Sequence, residues 1–504
     1  RDMGVAARTV EGPCPLGQAV ALRLYNVRTR QKEDFTPLQP GKVGLYLCGL
    51  TVYDHMHIGH ARTAVSFEVV RRWLEHHHDE VHFVQNVTDV DDKIIARAEE
   101  LGVSPLEHAD TWDQECRRQS DRLGVRAPDE APHATTSMDG IIAYIEGIIE
   151  RGFAYATGQG NVYFDVPRYD AHAQEAFPEH GYGTLSNRDY REMAAGTRKG
   201  VESDKQHPAD FALWKAAKPD EPADAQWDSP WGKGRPGWHI ECSHMSTASL
   251  GADQIDIHGG GQDLIFPHHE NEIAQTQAKT GKAPFVNVWM HSGFLNVEGV
   301  KMSKSLGNFI TLKDALDDLD AKGWDPEVLR FYFVQTHYRS KIDFSRKGLE
   351  EAAKAVERLE RTRTRLHEAV AAGADGTDPA LRDAVDAAHE RFHQAMDDDI
   401  HTPGAVAALF DLMRVANRGL DGAGLGVKDA QRTLAVFETM GSMLTLFDQP
   451  IELSEGTDFD ALLQEREAAR AAKDWATADR IRDEIAAAGY RIEDSASGPR
   501  IVRA

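Results

Sequence analysis

Cysteine is scarce: Cys14, Cys48, Cys116 and Cys242 are the whole complement of a 504-residue chain. They lie far apart and none forms a C-x-x-C pair, which excludes a disulfide-stapled secreted scaffold and any metal motif confined to one short stretch. A reducing cytoplasm is the expected setting. Long apolar runs are missing too. No stretch approaches the roughly 20 residues of a membrane span, and the first 20 residues lack the apolar core of about 7–15 residues that a secretory signal carries. No membrane partner is expected. Positive charge is in deficit, with 57 Lys and Arg against 81 Asp and Glu and a net charge of −24. That excludes a uniformly basic nucleic-acid coat, but not a local basic stripe on phosphates.

The 41% of hydrophobic residues is enough for a large core, and at roughly 100–200 residues per domain about three domains are expected. Residues 1–21 are set aside as an N-terminal extension, expected to be disordered. The apolar run 43–48 ends at Gly49 and predicts a buried strand. Residues 60–75 carry Val65, Val69 and Trp73 at helical spacing. A second strand is predicted at 81–87 and a helix at 89–101, ended by Gly102. Strand, helix and strand at this rhythm make a βαβ unit and a parallel sheet. Strand signals return at 254–258 and 286–291. Between them Pro267 is expected to open a helix that runs to Thr280.

The domain expectation follows. A Rossmann-type α/β catalytic domain covers 22–130 and 236–325, split by an insertion at 131–235 that is rich in turns and charge. A helical region covers 326–450, with long helices at 348–371 and 380–396. A small α+β unit covers 451–504, with helices at 458–472 and 475–488, Gly489 as a cap, and a hairpin of 490–493 with 500–503.

Three clusters carry chemistry. The segment Thr51-Val52-Tyr53-Asp54-His55-Met56-His57-Ile58-Gly59-His60 follows a strand and opens a helix. Free backbone N–H groups and the helix dipole favour phosphate there. Gly59 lets a nucleotide approach the backbone, and His57 and His60 donate to phosphate oxygens. The segment Lys301-Met302-Ser303-Lys304-Ser305 sets two lysines three apart in a Ser/Gly-rich loop that can close on a triphosphate. Each cluster alone reads equally as a solvated turn. Together, at opposite ends of a split α/β domain, they resemble the phosphate signature of the class I aminoacyl-tRNA synthetases. The third cluster is Cys48, Cys242 and the pair His268 and Glu272, four apart on one helix face. Two thiolates, an imidazole and a carboxylate suit tetrahedral zinc. Spacing alone does not bring them together, because 194 residues separate the cysteines.

Longer segments extend the resemblance. Leu47-Cys48-Gly49, Thr88-Asp89-Val90-Asp91-Asp92-Lys93-Ile94, and the stretches 210–215, 238–242, 258–263, 268–272 and 301–308 are similar to the cysteinyl-tRNA synthetases from about Leu22 onward. The resemblance implies a cysteine–tRNA ligase. ATP, entering with Mg2+, activates L-cysteine, and the adenylate passes the cysteinyl group to tRNA(Cys). It implies one Zn2+ per chain on Cys48, Cys242, His268 and Glu272. It implies a substrate pocket of Thr88, Trp238 and Asp263, and ATP contacts by His57, Gly59, His60, Lys301 and Lys304, with His57, His60, Lys301 and Lys304 spreading the developing charge. A monomer is implied as well.

By the same resemblance 326–450 is a tRNA-binding region, with Arg358, Arg361, Arg363 and Arg365 as backbone contacts. The unit 451–504, with Arg466, Arg470, Lys473, Arg480, Arg482, Arg491, Arg500 and Arg503, is the anticodon reader. One departure stands out: the family usually reads Asp-Asp-Asp-Phe-Asn-Thr-Pro where this chain has Asp397-Asp398-Asp399-Ile400-His401-Thr402-Pro403. Three alternatives share the catalytic domain. A cysteine:amino-sugar ligase needs neither Glu272 nor the last 50 or so residues. A nucleotidyltransferase of the same superfamily needs no Cys/Cys/His/Glu set. A non-catalytic RNA-binding relative would carry a broken phosphate motif.

Overall fold

The structure is a computed structural model that describes residues 21–191, 204–303, 306–422, 425–449, 459–487, 490–495 and 498–503. The expected N-terminal extension, Lys304 with Ser305, and Gly489 lie outside the described residues. Two compact units divide the chain after Asp448.

The first unit is built on a four-stranded parallel sheet. In chain order, β1 (Lys42–Thr51) leads to α1 (Ile58–His77) and β2 (Glu80–Thr88). Further along come α2 (Asp92–Leu101), α3 (Trp238–Ser249), β3 (Ile255–Gly261), α4 (Glu270–Thr280) and β4 (Val286–Ser292). The strand order is β4-β3-β1-β2. The chain therefore steps from β1 to one side and later returns on the other. The carboxyl ends of β1 and β3 flank the point where the order reverses, which is where open α/β sheets bind ligands.

Local chemistry sets the element limits. Asp91 caps α2 by accepting from the Lys93 N–H, and Gly102 ends it at φ 67°, a left-handed cap that glycine adopts without steric cost. The helix expected from Pro267 begins later. Phe266 is extended, residues Ile265–His269 form a wide turn, and regular α4 starts at Glu270. At the end of β1 the pairing with β2 slips between Leu47 and Leu50. Gly49 makes that slip feasible, because a Cβ there would sit 1.6 Å from the Asn86 carbonyl oxygen.

The insertion forms its own antiparallel sheet of Ala154–Ala156, Val162–Phe164, Phe211–Ala216 and Gly234–Pro236. Beyond the parallel sheet run α5 (Glu327–Val334), α6 (Arg346–Ala372), α7 (Pro379–Asp397), α8 (Thr402–Asp421) and α9 (Val427–Met443). These helices share one continuous apolar core with α1 and one face of the sheet, joining Val65 and Trp73 to Phe331, Leu359, Phe392 and Phe437. His401 caps α8, its ring accepting from the Gly404 N–H at 3.1 Å. The unusual histidine thus keeps a side-chain acceptor at the helix start, the service asparagine ordinarily gives.

The second unit has α10 (Phe459–Ala471) and α11 (Trp475–Ala487), followed by an antiparallel hairpin of β5 (Tyr490–Ser495) and β6 (Gly498–Arg503). Ile481 and Ile485 form its buried core with Leu462 and Ile492.

Candidate metal and nucleotide site

The four expected metal ligands converge at the switch point. Single donor atoms of Cys48, Cys242, His268 and Glu272 all lie within 4.8 Å of one another. Cys48 arrives from the slipped end of β1, Cys242 from the first turns of α3, and His268 and Glu272 from the turn into α4. The two sulfurs are 3.8 Å apart, and His268 Nε2 is 3.0 Å from Glu272 Oε1. The i,i+4 pairing survives the later helix start because both residues fall on consecutive turns.

Sequence reasoning missed a second layer. His258, in the middle of β3, approaches Glu272 Oε2 at 2.9 Å, and His269 Nε2 lies 3.3 Å from the Cys48 sulfur. Cys48, His258, His269 and Glu272 form a second group compact enough for a metal. His269 in turn meets His291 at 2.7 Å, while His268 meets His239 at 2.9 Å and lies under the Trp238 ring, 4.3 Å between centroids. A buried histidine in a strand reads as core. The available signal was that His258 stands just before three glycines.

Electrostatics set the protonation of this cluster. Burial pushes the Cys48 thiol up, whereas the hydrogen bond from Cys48 holds Cys242 down to about 6. Burial opposes ionisation of Glu272, yet the adjacent His258 and His268 outweigh it and hold the carboxyl at about 2. Burial likewise opposes charge on His268, but Glu272 and Cys242 raise it to about 10. A buried thiolate and carboxylate therefore gather a cation, and a proton on His268 fills that role when no metal does.

The expected pocket residues ring the cluster. Thr88 Oγ1 donates to Glu241 Oε2 at 3.1 Å, and Asn86 donates to Thr88 at 3.3 Å. Trp238 is 37% exposed, so one ring face is open while the other covers His268. Asp263 is exposed in the short turn Gln262–Leu264 after β3.

The first phosphate motif differs from expectation. The first N–H groups of α1 are not open to a ligand: His57 Nδ1 accepts from Gly59 N at 3.1 Å and His60 N at 3.2 Å, and Ile58 N donates to the Ile310 carbonyl. A neutral ring that accepts at Nδ1 carries its proton on Nε2, on the side of the His57 ring away from the helix start. The His60 ring stacks on His57 at 3.5 Å, and burial followed by the His57 neighbour holds it well below the usual imidazole range. Gly59 is required by this cap, since a Cβ would lie 2.9 Å from the His57 ring.

The two motifs meet. Leu312 N donates to the Met56 carbonyl, His57 bridges Thr311, and the Met302 methyl lies 3.9 Å from the Cβ position of Gly59. Asn308 ties the second loop by accepting from Ser303 N and donating to the Lys301 carbonyl, with Lys301 exposed on a two-residue strand.

The expected tRNA contacts on α6 are partly engaged elsewhere. Arg363 pairs with Glu438 at 2.7 Å, Arg365 with Asp421 at 2.5 Å, Arg361 with Glu357, and Arg358 lies over the Phe410 ring. In the second unit Arg466, Arg470, Arg480 and Arg482 pair with acidic residues of α10 and α11. Arg491, Arg500 and Arg503 fall on the hairpin strands.

A parallel sheet of this order, with both phosphate motifs at its carboxyl edge, defines a class I aminoacyl-tRNA synthetase. Residues 34–354 match the family described as tRNA synthetases class I (C) catalytic domain, 391–448 the DALR domain, and 454–498 the cysteinyl-tRNA ligase anticodon binding domain. Curated relatives called cysteine–tRNA ligase include those of Heliobacterium modesticaldum and Geobacter sulfurreducens, each 46% identical over 499 residues, 95% of this chain and 99% of theirs. That of Chromohalobacter salexigens is 44% identical over 95% of this chain and 98% of its own. The chain belongs to the cysteinyl-tRNA synthetase family. Among solved structures it shares its fold with Mycobacterium tuberculosis methionyl-tRNA synthetase in complex with methionyl-adenylate, at TM-score 0.57 and 13% identity over 80% of this chain and 89% of that one. No described helix is long and apolar enough to cross a membrane.

Proposed function

We propose that this chain activates L-cysteine with ATP, releasing pyrophosphate, and transfers the cysteinyl group to the 3′-terminal adenosine of tRNA(Cys). The observation that carries this reading is the convergence of two cysteines, one histidine and one glutamate on the ligand-binding edge of the sheet, in a chain of this family.

Cys48, Cys242, His268 and Glu272 would hold one Zn2+. The donor set fits: soft sulfur with imidazole and carboxylate is a zinc combination, and the anionic Cys242 and Glu272 gather the cation they need. When bound, zinc supplies a soft acceptor that ligates a substrate thiolate far better than a serine hydroxyl. His239 and Glu241 support the set from behind, His239 on the second nitrogen of His268 and Glu241 on Thr88. The neighbouring group of His258 and His269 is the weaker cage, because His258 is engaged with Glu272 and His269 with His291.

Shape alone separates small side chains by only about 1–3 kcal/mol, so ligation by sulfur is what rejects serine. Thr88, Trp238 and Asp263 would line the amino-acid and adenylate pocket. The cysteine carboxylate oxygen then attacks the α-phosphorus of ATP, which enters as its Mg2+ complex, and the bond to the pyrophosphate oxygen breaks. No protein nucleophile is needed. Positioning and charge stabilisation lower the barrier. His57 through its outward nitrogen, His60, Lys301 and Lys304 spread charge over the leaving phosphates, with Gly59 giving the chain room at the motif. The described cysteines are free thiols, the state of a reducing cytoplasm, which is our proposed compartment.

The test is transfer of labelled cysteine to deacylated tRNA with ATP, with and without a zinc chelator. Chelator-sensitive charging with serine rejected is the expected outcome. Cysteine-dependent pyrophosphate exchange without charging would mean an amino-sugar ligase, and exchange indifferent to both cysteine and chelator a plain nucleotidyltransferase.

A further inference from the structure

Far from the sheet's carboxyl edge, where the last turn of α1 packs on α7, six side chains with unusual chemistry meet. On α7, His389 and His393 are four residues apart, and this spacing puts both rings on one helix face. Their Nε2 atoms are 3.1 Å apart and their ring centroids 4.4 Å. From α1, exposed His76 sets its ring 5.0 Å from that of His393. Trp73 lies beneath both, stacked on His76 at 5.0 Å and edge-on to His393 at 5.1 Å. His77 Nε2 reaches Asp397 Oδ1 at 2.8 Å, and the same oxygen accepts from Trp73 Nε1 at 3.1 Å.

We infer that His389 and His393, joined by His76, form a second metal site, for a divalent transition ion of the kind imidazole prefers, and that the bound ion ties the end of α1 to α7.

The geometry carries the argument. A metal about 2.1 Å from each nitrogen spans the 3.1 Å separation of the pair at an angle of about 95°, between octahedral and tetrahedral coordination. The nitrogens are thus already spaced as two ligands of one ion. Metal binding also requires unprotonated imidazoles. Burial lowers all three rings; His389 and His76 add to the effect on His393, which is held at about 4, His77 and His389 add to it on His76, and Arg432 adds to it on His389. At neutral pH the uncharged imidazoles of His389 and His393 face each other, and that of His76 faces His393 from the neighbouring helix. Indole and carboxylate flank them, with Trp73 limiting their orientations. Zn2+, Ni2+ and Cu2+ are the ions that such nitrogen sites select. The competing account is a plain hydrogen bond between two neutral histidines, which also explains 3.1 Å but gives no affinity for metal.

The experiment uses the full chain, dialysed against Zn2+ or Ni2+ and then analysed for metal content, beside the double variant His389→Ala/His393→Ala. The wild type is expected to hold one metal equivalent more than the double variant, whatever the content of the Cys48 site. His76→Ala should lower the affinity for that equivalent without abolishing it. Added Ni2+ should raise the melting temperature of the wild type but not of the double variant. Undiminished cysteine-dependent pyrophosphate exchange, a step that needs no tRNA, by the double variant, whose residues lie outside the reaction centre, would show that it is folded. His393→Gln, which keeps bulk and polarity but not imidazole coordination, guards against a packing effect. Equal metal content in wild type and double variant would overturn the proposal, as would a Ni2+-dependent melting shift that survives in both.

Discussion

Two buried carboxylates of the first unit behave in opposite ways. Glu272, at the carboxyl edge of the parallel sheet, and Glu327, where α5 meets the chain after α9, are 0% and 6% exposed. Burial penalises the charged form of each. Around Glu272, His258 and His268 overturn the penalty and the carboxyl is held at about 2. Around Glu327, Arg330 lowers the carboxyl but does not outweigh the penalty. Burial, with Glu360 nearby, pushes it up to about 7, although the Phe447 N–H donates to it at 2.9 Å. Burial alone makes a carboxyl neutral. Ordered imidazoles make it an anion able to take a metal. The reactive region differs from the structural one in its partners, not its depth.

The sharpest way to break that contrast is Glu272→Gln, which keeps the shape and removes the charge. Zinc content should fall by about one equivalent relative to the wild type, and kcat/KM for cysteine should drop by about 100-fold or more, in line with losing a metal ligand rather than an outer partner. Full zinc content with unchanged kinetics would sink the ligand assignment. Next comes Gly49→Ala at the slip that aims Cys48. The new Cβ collides with the Asn86 carbonyl, and a loss of about 2–4 kcal/mol is expected in denaturant unfolding. Gly102→Ala, also at a turn but with open space at its Cβ position, should cost only about 1–2 kcal/mol; equal losses would show that the slip carries no strain.

Lys301→Ala separates the two ends of the crevice. Pyrophosphate exchange should slow by about 10–100-fold while zinc content and the KM for cysteine stay put. The last test is Glu327→Gln. The folded carboxyl titrates near 7 and its unfolded reference near 4.5, so the folded state holds a proton that the unfolded chain has released. Stability from this group is present at low pH and is lost as pH rises from about 4.5 through about 7. The wild type should therefore lose about 2–3 kcal/mol more than Glu327→Gln between pH 5 and pH 8 in urea titrations. Parallel curves would mean that Glu327 is ionised throughout.

The parallel sheet was legible because β1 and β2 announce themselves as apolar runs around an amphipathic α1. Element limits moved where side chains cap. His57 and Asp91 took the cap positions, so α1 began two residues earlier than its apolar rhythm and α2 three later. The donor set of Cys48, Cys242, His268 and Glu272 was legible only through family resemblance, since no local rule links residues 194 apart. The layer of His258, His269 and His291 was not legible, because a buried histidine pattern is indistinguishable from core until its neighbours are known. The expectation of open amides at His57–His60 failed for a related reason. Sequence shows a histidine at a helix start, but not that its own ring has turned back onto the next two N–H groups. On α6, Arg363 and Arg365 looked like phosphate contacts, and only packing of α6 against α8 and α9 reveals Asp421 and Glu438 opposite them.

Asp399 has a consequence in time. Its carboxylate accepts from the Tyr25 N–H at 2.8 Å and the Tyr338 hydroxyl at 2.8 Å and pairs with Arg339, while its own N–H donates to the Arg23 carbonyl. One residue thereby fastens a strand 374 positions upstream. The strand at Tyr25 pairs with Gln31–Asp34 as soon as both are made, but at a synthesis rate of about 5–20 residues per second its anchor at Asp399 follows only some tens of seconds later. Released chains that end short of Asp399 should be cut at that strand faster than chains that include it.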